Sequence, residues 1–526
     1  MFGIATFHDG ETSLTGMPGG VLQGATPKWD LEIVLDSASE ELQQSQDFTL
    51  VSTGQHPLIT SAGRPIVEIL RNDDVKDINN LVGRFAFAYA QGKQLFLVRD
   101  HLGIVPLYYC RPAIGKIAFA TNILHILRLF PSFRKVNRAV LHCIQGIGFN
   151  LFPGESIFEG INMVSPGEIV RFSSTGVSRS LYRKEMIADS LGQRNIDRIH
   201  EILNHGLRIC FENTTTSKNG LFLSGGLDSS YLLCQSLNYC DLIPFSMWDG
   251  KNNDDIKDAR TIASEMGVEL HEVVPTVSEV DNMIVDYAWH YAVPMGGGGF
   301  DLLGGVAFHL LANRMGRQGI KIAFCGEGAD EYFLGYHQYH MVPEILVNKI
   351  ETAIRQHKLD ILEARLSELG LPANPSSSLR SMAGTYGLSE YHLPSVFYSG
   401  IASSIDIVPP FVYPPLEEIL RHTSSESLID RHDYWTKKLL RDFFTKLMPN
   451  TSSRAAVRRK RSMTYSLSKY HAELAAILKR SSTRLSLEEA CWRLFFFLHV
   501  RNNFSQKPEA SLTDLIPDLE QMDFDE

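Results

Sequence analysis

The run Ser224-Gly225-Gly226-Leu227-Asp228-Ser229-Ser230 constrains this chain more than any other feature. It follows Gly220-Leu221-Phe222-Leu223, an apolar run with the length of a buried strand, and opens a helical pattern. A turn in that position sets backbone N–H groups and the positive end of a helix dipole against an anion. The glycines let the backbone approach phosphate oxygens, and the serines add hydroxyl donors. Asp228 repels a phosphate directly, so it makes sense as a ligand for Mg2+ that bridges to the phosphates. The spacing and the Gly-Lys-Ser/Thr ending of a Walker A loop are missing. A Gly-Ser turn with a satisfied aspartate is the plainer alternative.

Around this loop the chain alternates between two periods. Helical spacing covers Ile196–Phe211 and Asp255–Met266, while Leu242–Met247, Leu270–Val274 and Lys321–Phe324 read as further strands. Strand and helix in this order predict a parallel sheet covered on both faces. Parallel strands end on one side, so Cys325-Gly326-Glu327-Gly328-Ala329-Asp330-Glu331, after the fourth strand, can face the first loop. Asp330 can then share Mg2+ with Asp228, and Glu327 can take a proton from an incoming amine. A solvated loop acid is the plainer account of Glu327. Arg454, Arg458, Arg459, Lys460 and Arg461 form a basic cluster, either a solvated or nucleic-acid-binding patch or a source of one cation for the α-phosphate and a developing oxyanion. Beyond about residue 340 the pattern turns mostly helical, and the acidic end, Asp514 to Glu526, reads as a frayed tail.

Residues 1–185 follow a different pattern. Phe85–Tyr89 and Gln94–Val98 flank Gln91-Gly92-Lys93, a hairpin signal. Leu107–Tyr109, Lys116–Ala120 and Glu168–Phe172 continue the strands, with helical pieces such as Asn122–Leu129 between them, as in an antiparallel α+β domain. The expected division is 1–185, 195–510 and an acidic tail 511–526, and a chain of 526 residues is long enough for two large cores. Hydrophobic residues at 44% and charged residues at 21% fit a soluble globular protein. No run approaches the ~18 apolar residues of a membrane span. The start, Met1 to Phe7, lacks the pattern of a signal peptide, which points to a cytoplasmic protein without a membrane partner. Seven cysteines without a Cys-x-x-Cys pair read as reduced, buried thiols. A net charge of −10 speaks against a nucleic-acid partner. A homodimer is left open.

The loop at Ser224–Ser230 resembles the pyrophosphate-binding loop of the N-type ATP pyrophosphatases, which cleave ATP between the α and β phosphates and transfer AMP. That resemblance implies adenylation, with ATP and Mg2+. The whole chain resembles the glutamine-dependent asparagine synthetase superfamily. The motifs carrying this are the loop, Gly326-Glu327-Gly328-Ala329-Asp330-Glu331, Phe333-Leu334-Gly335-Tyr336, Leu81–Ala88, Arg99–Tyr109 and Ser165-Pro166-Gly167. The resemblance implies an N-terminal Ntn-hydrolase-like α+β domain followed by an α/β domain of the N-type ATP pyrophosphatase kind. It assigns nucleotide contacts to Leu223, Ser224, Gly225, Gly226, Leu227, Asp228, Ser229, Ser230, Met247 and Gly326, and metal contacts to Asp228 and Asp330. Val457-Arg458-Arg459-Lys460 matches the segment of the family's catalytic lysine, so Lys460 is the expected cation. Ile405–Phe411 is similar to the acidic segment before Pro-Phe, which makes Asp406 a second candidate acid beside Glu327.

The departures shape the functional expectation. Glutamine-hydrolysing members begin Met-Cys-Gly-Ile with the cysteine as nucleophile, whereas this chain has Met1-Phe2-Gly3-Ile4, and Phe2 cannot form a thioester. No His-Arg-Gly-Pro or Asn-Gly-Glu-x-Tyr-Asn segment is present. The N-terminal domain is therefore expected to keep the fold without the reaction, as in the β-lactam and carbapenam synthetases and the lasso-peptide cyclases. At the position of Glu327, however, the β-lactam formers carry Tyr and the lasso cyclases His, and Glu is the asparagine-synthetase choice. Met295-Gly296-Gly297-Gly298-Gly299-Phe300 either makes room for a larger acceptor or is a flexible surface loop. The expected activity is an ATP-dependent ligase that adenylates a small-molecule or peptide carboxylate and joins it to an amine that glutamine does not supply, in lactam formation of specialised metabolism. An ammonia-dependent asparagine-synthetase-like enzyme and a non-catalytic nucleotide-binding scaffold are the alternatives.

Overall fold

A computed structural model describes residues 2–7, 21–26, 29–34, 40–44, 48–53, 83–91, 94–147, 150, 152, 154–174, 176–182, 194–212, 218–250, 254–291, 302–336, 383–430, 436–457, 468–481, 485–501 and 506–522. The chain divides into two compact units, Met1–Leu141 with Asn150–Met186, and His142–Phe149 with Ile187–Glu526.

The N-terminal unit holds two antiparallel sheets of six strands, as expected of an Ntn-hydrolase-like fold. Its strands are β1 (Phe2–Phe7), β2 (Val21–Thr26), β3 (Trp29–Val34), β4 (Glu40–Gln44), β5 (Phe48–Thr53), β6 (Ala86–Gln91), β7 (Gln94–Arg99), β8 (Tyr108–Ala113), β9 (Lys116–Ala120), β10 (Ile161–Met163), β11 (Glu168–Ser173) and β12 (Gly176–Leu181). One sheet runs β10-β8-β9-β1-β3-β2 and the other β12-β11-β7-β6-β5-β4. The hairpin read at Gln91–Lys93 joins β6 to β7 with Gln91 opposite Gln94. Both faces of this hairpin are buried, so its sequence is apolar throughout instead of alternating. Tyr89 and Phe96 lie opposite each other and stack at 4.4 Å between centroids. Tyr109 on β8 meets Phe172 on β11 edge-on at 5.2 Å, which places one contact between the two sheets.

The C-terminal unit is built on one parallel sheet. β13 (Asn219–Phe222), β14 (Leu242–Met247), β15 (His271–Val273), β16 (Ile322–Phe324) and β17 (Asp406–Val408) lie in the order β15-β14-β13-β16-β17. Four of these strands match the sequence expectation. The fifth, β17, corrects it, because three residues of Asp-Ile-Val within a helical stretch carry no periodic signal. The helix Arg194–Glu212 buries Ile199, Leu203, Leu207 and Phe211 at four-residue spacing. The frayed acidic tail is also corrected. Leu512–Glu520 is a helix with a capping box from Ser511 and Asp514. It buries Leu512, Leu515, Ile516 and Leu519, and Arg493 donates to the carbonyls of Leu519 and Met522. Its acids occupy the outer face, and the apolar stripe beneath decides the packing. Among the described residues no helix is long and apolar enough to cross a membrane. Cys110, Cys234, Cys325 and Cys491 are buried and Cys210 and Cys240 half-buried, and burial pushes the Cys110 and Cys234 thiols up to about 12.

Candidate active site

The chain leaves β13 toward β14 and β15 on one side of the sheet, then returns to the other side as β16 and β17. The carboxyl ends of β13 and β16 therefore flank a topological switch point, where open α/β sheets leave a crevice. The loops after these two strands carry Ser224–Ser230 and Gly326–Glu331, as their positions after strands implied.

The first loop is held from within. Ser229 Oγ donates to the Gly226 carbonyl (3.3 Å) and accepts from the Ser224 N–H (3.2 Å), and Ser224 Oγ accepts from the Gly226 N–H (3.3 Å). These two serines thus shape the loop. Gly225 has φ +69°, and a Cβ there would lie 2.2 Å from the Asp255 carbonyl oxygen and 2.7 Å from the Ala259 nitrogen. Only glycine lets the loop pack this closely on the helix Asp254–Glu265. Gly226 stands at the N-cap of the helix Leu227–Ser236 and has no side chain to cap it, so the positive end of the dipole opens toward the loop. Leu223 is buried before the loop, Leu227 is buried after it, and Ser230 Oγ is buried with no hydrogen-bond partner among the described residues.

Asp228 and Asp330 come together. Lys437, 3% exposed at its side chain, lies with Nζ 2.5 Å from Asp228 Oδ2 and 2.8 Å from Asp330 Oδ1. The two carboxylates are within reach of one cation, and Asp228 Oδ1 is buried with no hydrogen-bond partner among the described residues. An orphaned carboxylate oxygen beside a second carboxylate fits a hard divalent ion such as Mg2+. Gly326 sets this spacing, since a Cβ there would meet the Asp228 Cβ at 3.0 Å. Lys437 escaped the sequence reading. It lies 209 residues from Asp228 and looks like any lysine before an amphipathic helix.

Glu327 is not simply solvated. Its Oε2 lies 3.4 Å from His392 Nδ1, and His392 Nε2 lies 3.9 Å from Glu331 Oε1. Glu331 accepts a hydrogen bond from the Tyr336 hydroxyl at 2.6 Å. Burial raises the Glu331 carboxyl above its usual range, with the nearby His392 acting the other way. Burial likewise pushes the Tyr336 phenol up, and the Glu331 carboxylate adds to it. His392 closes the π-helix Ala383–His392, a wide-turn element that often marks functional positions, and no short motif announces it.

Other expected residues separate. Met247 ends β14, buried, at the same edge of the sheet as the two loops. Asp406 opens β17, paired with Ile322 at the start of β16, so the structure leaves it at the amino ends of the strands, away from Asp228 and Asp330. Lys460 and its neighbours Arg458, Arg459 and Arg461 lie outside the described residues, as does Met295–Phe300. The segment before Lys460 is tied down: the Arg454 N–H donates to Asp258, and Thr451 and Ser452 donate to Glu265, on the same helix that receives Gly225.

Residues 59–183 match the glutamine amidotransferase domain family, and residues 214–392 match the asparagine synthase family. A two-layered antiparallel unit followed by a parallel sheet with this loop defines a class that joins an amidotransferase-type domain to a nucleotide-binding one. The chain belongs to the asparagine synthetase superfamily. It is 26% identical to asparagine synthetase B (glutamine-hydrolyzing) of Escherichia coli over 315 residues, 55% of this chain and 50% of that protein. It is 25% identical to amidase chyE of Penicillium rubens over 371 residues, 64% of this chain and 49% of that protein. The chain spans about half the length of the curated relatives it matches. Among solved structures, the NH3-dependent NAD synthetase of Campylobacter jejuni is 15% identical over 35% of this chain and 92% of that chain, with a TM-score of 0.22.

Proposed function

We propose that the protein is an ATP-dependent amide-bond-forming ligase that adenylates a carboxylate, releases pyrophosphate and transfers the acyl group to an amine. The observation that carries this is the pairing of Asp228 with Asp330 at the switch point, with Asp228 Oδ1 lacking a partner among the described residues beside an uncapped helix N-terminus. A polyphosphate with its metal needs such a site. Bound between the two acids, Mg2+ would neutralise phosphate charge. The backbone N–H groups of the loop orient the phosphates, and Met247 supports the base end. A substrate carboxylate oxygen attacks the α-phosphorus, and the bond to pyrophosphate breaks. An amine then attacks the acyl carbon, Glu327 accepts its proton, and AMP leaves. Lys460 stabilises the oxyanion. Such a donor is worth about 3–4 kcal/mol, so Lys460→Ala is expected to lower turnover by roughly two to three powers of ten.

Phe2 offers no thiol, so the nitrogen comes from an amine other than glutamine's amide. We assign the chain to lactam formation on a small-molecule or peptide substrate in specialised metabolism, in the cytoplasm, with neither nucleic acid nor membrane as partner. Glu327 favours a second reading, because it is the residue expected of asparagine synthetases, and ammonia would then be the amine. ATP–pyrophosphate exchange against a panel of carboxylates, with Asp228→Ala as blank, tests both. Exchange that depends on one carboxylate supports adenylation. AMP release that then needs ammonium selects the second reading, and AMP release without any added amine selects ring closure. No exchange with any carboxylate, alongside ATP binding, sinks the ligase and leaves a nucleotide-binding scaffold.

A further inference from the structure

Lys437 occupies its place against three physical penalties. Its backbone is left-handed (φ 55°, ψ 38°), a region that disfavours a residue with a side chain. It stands at the N-cap of the helix Lys438–Leu447, where the dipole's positive end repels a cation. Its ammonium is buried. The surroundings are nonetheless shaped for it. Gly335 lacks a Cβ, and a Cβ there would lie 1.8 Å from Asp330 Oδ1 and 2.2 Å from Lys437 Cε. Asp228 and Asp330 are the compensation, and they are the two groups that fit Mg2+.

We infer that Lys437 is a built-in competitor of the metal: its ammonium holds Asp228 and Asp330 together until nucleotide arrives, so that Mg2+ enters this site only with ATP. The inference depends on the site being the nucleotide-metal site proposed above. Without the lysine, two buried carboxylates would repel each other or collect divalent ions on their own. With it, a metal arriving alone must either expel the ammonium or sit beside it and turn a net charge of −1 into +1. ATP brings the negative charge that a metal and an ammonium can share.

The experiment is an Mn2+ titration of the full chain followed by electron paramagnetic resonance, without nucleotide and with a non-hydrolysable ATP analogue. Wild type is expected to bind Mn2+ weakly alone and tightly with the analogue. Lys437→Met keeps the length of the side chain and removes its charge, and is expected to bind Mn2+ without nucleotide at least roughly tenfold more tightly. Adding Asp228→Asn to that variant should abolish the gain. Equal nucleotide-free affinities in wild type and Lys437→Met overturn the inference. So does tight nucleotide-free binding by wild type that Asp228→Asn removes, an arm that stands even if Lys437→Met fails to fold. The titration needs no turnover, so absent exchange with every carboxylate would sink the ligase proposal while leaving this measurement readable.

Discussion

In the N-terminal unit, Asp100 accepts hydrogen bonds from the backbone N–H groups of Leu102, Ile104 and Val105 at 2.9–3.1 Å. Its neighbour Arg99 is fully buried and donates to the carbonyls of Gly103, Val105 and Val164. Tyr182 closes the knot by donating to the Arg99 carbonyl. In the C-terminal unit, Asp228 is also largely buried, but it keeps an oxygen without a donor among the described residues and leans on a lysine distant in sequence. Both motifs belong to the superfamily resemblance, and they are different in kind. Buried polar groups that are fully matched specify a fold, and those left short of partners point to a ligand. The Arg99–Tyr109 motif wires strand-connecting segments of the N-terminal unit together.

The comparison breaks most visibly at Asp228. Asp228→Asn keeps an acceptor for Lys437, so its stability is expected to stay within about 1 kcal/mol of wild type. Exchange should fall roughly a thousandfold, since a preorganised charge at the reacting phosphates is lost. A large drop in melting temperature with exchange preserved would make Asp228 a wiring residue like Asp100. Arg99→Met is the opposite case. It leaves three buried carbonyls without their donor, each short by about 1–3 kcal/mol, so the N-terminal unit should lose about 3 kcal/mol or more in denaturant unfolding. Binding of an ATP analogue should not change. Weakened nucleotide binding with unaltered unfolding would reverse the roles assigned to the two motifs.

Much of the frame was legible because its signals are local. The hairpin around Gln91–Lys93, the helix Arg194–Glu212 and β13 through β16 each carry their own period or turn residues. Asp228, Asp330 and Glu327 were legible because they sit in the turns and first helical residues directly after strands. Lys437 and His392 were not, because what brings them to the acids is tertiary: a strained N-cap in one case and the end of a π-helix in the other. The tail went wrong by weighing charge over spacing, since Leu512, Leu515, Ile516 and Leu519 already form a stripe. Asp406 was placed by resemblance to a segment, and the register of β17 with β16 then set it at the far end of the strands.

A third cluster sharpens the contrast from inside the C-terminal unit. Asp286 accepts from His309 Nε2 at 2.7 Å and from Lys507, and His309 Nδ1 lies 3.2 Å from the buried Ser399 hydroxyl. Serine, histidine and aspartate in line look like a nucleophilic triad, but Ser399 is 0% exposed within the helix Leu393–Ser403, so no substrate reaches it. The chain of bonds instead ties the helices Val277–His290, Leu302–Arg317 and Leu393–Ser403 together. Burial alone would raise the Asp286 carboxyl, but the hydrogen bonds from His309 and Lys507 outweigh it and hold the group well below the usual carboxylate range. A depressed folded value contributes stability that is fully present above the unfolded value near pH ~3.9 and is lost as pH falls through that range toward the folded value. Asp286→Asn should therefore lower stability by about 1–2 kcal/mol at neutral pH. The gap from wild type should narrow as pH drops below about 4. Exchange measured at neutral pH should stay within a few-fold of wild type. A stability gap independent of pH would remove Asp286 as its source, and a loss of exchange comparable to that of Asp228→Asn would mean that this closed network also serves the chemistry.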